Sequence, residues 1–112
     1  MIGLDSNVLV RLITRDHAEQ TRAAQKIVAE ADDASLHVNL VVLAELAWGL
    51  RRAYRYQNAV VLDAIESVLR GREFVVERHA IASDALDNAR RAKCGYADAL
   101  IDRLNADAGG RA

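Results

Sequence analysis

Ser35-Leu-His-Val-Asn39-Leu-Val-Val-Leu-Ala-Glu45-Leu-Ala-Trp-Gly-Leu50 is the stretch whose reading decides the fold. Ser35 to Asn39 follows the turn signal Asp32-Asp33 and reads as a short strand. From Leu40 to Tyr54 the pattern turns helical and mostly apolar. A strand that runs straight into a helix in mid-chain poses the question of whether the same unit recurs on either side.

It does. Upstream, the apolar run Ile2 to Leu4 stops at Asp5-Ser6-Asn7, three residues suited to capping a helix over Val8 to Ile13. A second helix, His17 to Ala31, sets Ala24, Ile27, Val28 and Ala31 on one face. Downstream, an amphipathic helix spans Asn58 to Arg70 with Val61, Ile65, Val68 and Leu69 inward. Phe74-Val75-Val76, after Gly71, is the third strand. Helices over Ala80 to Ala92 and Ala97 to Ala106 follow, separated at Gly95. Strands separated by helices imply a parallel sheet with helical crossovers, so the class is α/β. No repeat, low-complexity tract or interdomain linker interrupts it.

Composition agrees. The 112 residues are 52% hydrophobic and 28% charged, with six Gly, no Pro and a net charge of −1, which excludes a disordered, collagen-like or many-turned all-β chain. Ala supplies roughly a fifth of the residues and favours helix throughout. A chain of this size buries roughly 60 to 70% of the surface its unfolded form exposes and needs no staples. The single cysteine, Cys94, cannot close an intramolecular disulfide, so a reducing, cytoplasmic setting is expected. No apolar run approaches the roughly 18 residues of a membrane span, and nothing at the N-terminus reads as a signal peptide. A balanced charge argues against a general polyanion coat while leaving room for a local basic patch.

Three carboxylates stand out. Asp5 lies where the first strand gives way to a helix, the carboxyl edge at which open parallel sheets bind ligands; capping that helix accounts for it equally well. Glu45 interrupts an apolar helix, where a carboxylate is costly unless it reaches water, a cation or a partner. With Gly49 and Arg52 it can also head a narrow solvated stripe. Asp98 sits in the first turn of the last helix, favoured there by the helix dipole, with Asp102 and Asn105 on the same face. Taken together, clustered carboxylates without His or Cys are the ligand set of a hard divalent cation such as magnesium or manganese, which can generate a hydroxide nucleophile for attack at phosphorus.

Other chemistries find little footing. His17, His37 and His79 fall at no ligand spacing, and no phosphate-binding Gly-rich loop or nucleophile elbow is present. Cys94 beside Gly95 reads as a packing residue. Arg51-Arg52-Ala-Tyr-Arg55-Tyr56 is the densest basic segment. Its tyrosines suit stacking on unpaired bases and its arginines suit phosphates, though arginines at a helix C-terminus also satisfy the dipole.

The segments Ile-Gly-Leu-Asp5-Ser-Asn7-Val-Leu-Val, Val-Leu-Ala-Glu45-Leu-Ala-Trp and Gly-Tyr-Ala-Asp98-Ala-Leu-Ile, 40 and then 53 residues apart at their acids, together resemble PIN-domain ribonucleases. The nearest likeness is to the VapC toxins of toxin-antitoxin pairs, over Met1 to about Asp107. The resemblance implies a single PIN-like domain over residues 1–112. Its expected form is a three-layer arrangement with a small parallel sheet of about three to four strands. It also implies magnesium- or manganese-dependent cleavage of RNA, with Asp5, Glu45 and Asp98 as catalytic metal-binding acids and Asn7 supporting them. Arg51, Arg52 and Arg55 are the expected RNA contacts. A homodimer and a VapB-type antitoxin are the implied partners.

Such domains usually continue into another strand that carries a fourth acid, whereas this sequence closes on Gly109-Gly110-Arg111-Ala112. Asp102, one turn beyond Asp98, can partly stand in for it. Two outcomes are open: slow cleavage on three acids plus Asp102, or a binding module without activity. Asp5-Ser-Asn7-Val is also similar in part to the nucleophile loop of haloacid-dehalogenase-like phosphatases, but the second acid of that loop is missing.

Overall fold

The computed structural model describes residues 2–109. The closing segment that reads as short of a strand lies outside them from Gly110 onward. Chain order is β1 (Ile2–Gly3), α1 (Ser6–Thr14), α2 (Ala18–Ala29), β2 (Leu36–Val38), α3 (Leu40–Arg52), α4 (Asn58–Arg70), β3 (Phe74–Val76), α5 (His79–Ala92) and α6 (Tyr96–Asp107). The expected α/β architecture is present: three parallel strands in the order β1-β2-β3, flanked by six helices. Ile2 pairs with Leu36, and Leu36 with Phe74.

The centre of the sheet is where burial is complete. Leu36 and Val38 of β2 are inaccessible to solvent, whereas both residues of β1 are exposed. β1 ends a residue sooner than its apolar run suggests, although the Leu4 N–H still donates to the His37 carbonyl at 2.9 Å. Helix α3 is the hub and packs against α1, α4 and α6. Its Leu43, Leu46 and Leu50, at the i, i+3, i+7 spacing of one helical stripe, are wholly buried. Each such leucine contributes about 1.5–3 kcal/mol of burial free energy. Val61 and Ile65 of α4, Ala82 and Ala85 of α5, and Tyr96 of α6 close the same core.

Helix ends follow from local chemistry. Asp5 and Asn39 are N-caps, and the left-handed residues Arg15 and Lys93 stop α1 and α5. Gly71 leaves room that a side chain would take, since a Cβ there would stand 2.5 Å from the Phe74 ring. One expectation fails in α2: Ala24 is buried, but Ile27 is 37% exposed. The helix packs chiefly against α1 and so buries a narrower stripe than its apolar residues span. Among the described residues no helix is long and apolar enough to cross a membrane.

Candidate functional site

The carboxyl edge of the sheet carries more polar groups than Asp5. Continued past the last paired residues, by two steps on β1 and one on β2 and β3, the register aligns Asp5, Asn39 and Glu77. Each is engaged at a helix start. Asp5 Oδ1 accepts from the Val8 N–H at 3.2 Å, Asn39 Oδ1 from Val42 at 2.8 Å, and Glu77 Oε1 from Leu40 at 3.0 Å. Sequence reasoning missed Asn39 and Glu77. Asn39 had a signal, an amide placed just before an apolar helical run. Glu77 had none, because its partner helix start lies 37 positions away.

Glu45 is exposed. The solvated stripe that explains it is real, but it runs through Val41, Trp48 and Arg52, and Val41 and Trp48 remain 67% and 56% exposed. The carboxylate therefore reaches water, and the cost of burying it never arises. Asp98 is also exposed, in the first turn of α6, where the N-cap Gly95 provides no side-chain cap. Ile101, Asp102 and Asn105 continue its outward face, as the helical spacing predicts.

Because α3 packs against both α1 and α6, the helices bearing the three acids are neighbours. Among the described residues no three His, Cys, Asp or Glu side chains gather closely enough to hold a metal ion. Asp5 and Asn7 border a depression shared with Arg11, Gln20 and Ile27 between α1 and α2. Asp98 borders another of about 390 Å³, and Asp102 a third, with Cys94 lining both of the latter. The donors are chemically suited to a hard cation, being oxygen ligands that enter no ion pair among the described residues.

The expected RNA-contacting arginines divide. Arg51 and Arg52 line the depression beside Asp98, with Arg52 stacked 4.4 Å above the Trp48 ring and Arg51 Nη1 donating to the Tyr56 carbonyl at 2.8 Å. Arg55 sits outside it, in a left-handed turn with φ of 56°. His79 lies 3.1 Å from the Leu69 carbonyl, an ordinary satisfied histidine.

A family model for the PIN domain matches residues 2–102, a span that contains Asp5, Asn7, Glu45, Asp98 and Asp102. No curated protein and no solved structure matches the chain.

Proposed function

The chain belongs to the PIN-domain family, and from that membership we propose that it is a nuclease of the VapC type, cutting RNA phosphodiester bonds. The observation that carries the reading is the family match over residues 2–102, with Asp5 capping α1, Glu45 on α3 and Asp98 on α6, where α1 and α6 both pack on α3. PIN domains generally use divalent metal ions, and the reading gives magnesium or manganese to these three acids, with Asn7 in support and Asp102 as an additional donor. The work of the chain's own cations is to hold the RNA backbone, a task that falls to Arg51 and Arg52 and, from its turn, to Arg55. A VapB-type antitoxin, a second copy of the chain and a cytoplasmic setting complete the reading. The domain is taken as one unit over residues 1–112.

That no three-ligand group gathers among the described residues favours a second reading, in which the chain is a PIN-like module that binds RNA or a protein partner without cutting. One experiment separates the two. The full chain is incubated with single-stranded RNA and manganese, beside Asp5→Asn and beside a sample in EDTA. Cleavage in the first alone supports the nuclease. Cleavage no greater than the Asp5→Asn background, together with a flat manganese titration by calorimetry, leaves the binding module.

A further inference from the structure

The depression over the start of α6 brings Trp48, Asn58 and Lys93, which have no role in the nuclease reading, beside Arg51, Arg52 and Asp98. Arg51 and Arg52 enter it from the last turn of α3, and Lys93 from the left-handed residue that ends α5. Lys93 joins no ion pair among the described residues. Asp98 is the one carboxylate on the rim, so the lining is net positive. Trp48, the chain's single tryptophan, lines it and is 56% exposed as a residue.

Two helices begin here, α4 at Asn58 and α6 at Tyr96, and neither N-cap residue supplies a side-chain hydrogen bond. Their first N–H groups add positive potential to that of the cations. Asn58, at the start of α4, also lines the depression. Its Nδ2 donates to the Cys94 carbonyl at 2.8 Å, while its Oδ1 is buried and has no partner among the described residues.

A flat aromatic ring, a stacked guanidinium and surplus positive charge around about 390 Å³ match one ligand chemistry. An acidic peptide leaves the indole without a stacking partner. Nucleobases stack on indole and guanidinium alike, and phosphates take lysine, arginine and helix N-termini. We propose that this depression is a nucleotide subsite in which Trp48 carries a base and Lys93 and Arg51 hold the adjoining phosphate. It rests on the nuclease reading for one point only, that the nucleotide belongs to a single RNA strand. A strand seated there runs its next linkage past Asp98.

The test needs no chemistry. The full chain in EDTA is titrated with hexauridylate while Trp48 fluorescence is followed. Saturable quenching is expected, with a half-point that Lys93→Gln and Arg51→Gln each weaken about tenfold. Asp98→Asn is expected to bind at least as tightly. Raising salt weakens binding with a logarithmic slope of roughly −0.7 per phosphate held. Circular dichroism verifies that each variant is folded. Unchanged fluorescence, or quenching undiminished in the Lys93→Gln/Arg51→Gln double variant, overturns the subsite. Uridine monophosphate saturating at the same concentration as the hexamer overturns its assignment to a strand. Because EDTA removes cleavage, quenching by a chain inactive in manganese keeps the subsite and rejects the nuclease, whereas cleavage without quenching does the reverse.

Discussion

The Tyr54 hydroxyl donates to Asp16 Oδ2 across 2.9 Å, tying the end of α3 to the α1–α2 turn 38 positions away. The same hydroxyl accepts from Arg11 Nη1 at 2.9 Å, and Thr14 Oγ1 donates to Asp16 Oδ1 at 2.9 Å. The bond from Tyr54 is the largest cause holding the Asp16 carboxyl below its ordinary value of 3.8, with Thr14 and Arg11 adding to it against an opposing push from partial desolvation. On acidification the unfolded chain takes up this proton before the folded one. The stabilisation is therefore complete above the ordinary value and drains away as pH falls below it. Tyr54→Phe is expected to flatten that acid limb. Urea midpoints at pH 7 and pH 3 check it, and equal acid losses in the two proteins would count against the linkage.

Asp5 has two roles that substitution separates. Asparagine caps a helix as well as aspartate does, so Asp5→Asn is expected to leave stability within a few tenths of a kcal/mol, whereas Asp5→Ala loses about 1 kcal/mol. If Asp5 also serves the proposed cleavage, both variants lose activity alike. Denaturant unfolding beside an RNA cleavage assay measures both, and an active, stable Asp5→Asn reduces Asp5 to a cap.

Asn39 and Glu77 both serve the start of α3, from one strand end and from the next. Asn39→Ala is expected to cost about 1 kcal/mol. Glu77→Gln retains an acceptor for the Leu40 N–H and should cost less than Glu77→Ala. Because the two side chains share one helix end, the double alanine variant should depart from the sum of the singles, which a double-mutant cycle reads directly.

Tyr96 is 1% exposed, and its hydroxyl donates to the Ala82 carbonyl at 2.9 Å. Burial pushes its phenol above the ordinary value of 10.0. Above that pH the unfolded chain releases the proton while the folded one retains it, so stability falls as pH rises. Tyr96→Phe is expected to cost about 1 kcal/mol at pH 7. It should also remove the alkaline decline, so the gap between the two proteins narrows from pH 10 upward. A gap that stays constant between pH 9 and 11 would show that Tyr96 does not govern it.

The order of elements was legible because each rests on a local pattern: the i, i+3, i+7 leucines of α3, the apolar triplet Phe74 to Val76, and Gly95 between α5 and α6. Placement of side chains across elements was not. Ile27 lies on the apolar side of α2 yet is left half outside, because only the packed neighbour decides how wide a stripe is covered. Glu77 was invisible for the same reason, its purpose being set by a helix start far away in sequence. The acids show the limit most clearly. Their spacing selects a family, but spacing along a chain sets register and not direction, and Asp5 and Asp98 come to border different depressions. Trp48 read as one more apolar residue of a core helix, and only the folded chain reveals its exposure.

The parallel sheet also orders events in time. Each of its two strand pairings closes a loop that holds two helices, α1 with α2 and then α3 with α4. Loop-closure entropy is spent before those pairings return anything, while neighbouring helices meet at short range. Helical pairs are therefore expected to form early, and β1, short and at the edge, to dock after the rate-limiting step. A change at Ile2 should accordingly speed unfolding and leave the refolding rate nearly untouched, as the two limbs of a stopped-flow chevron will resolve.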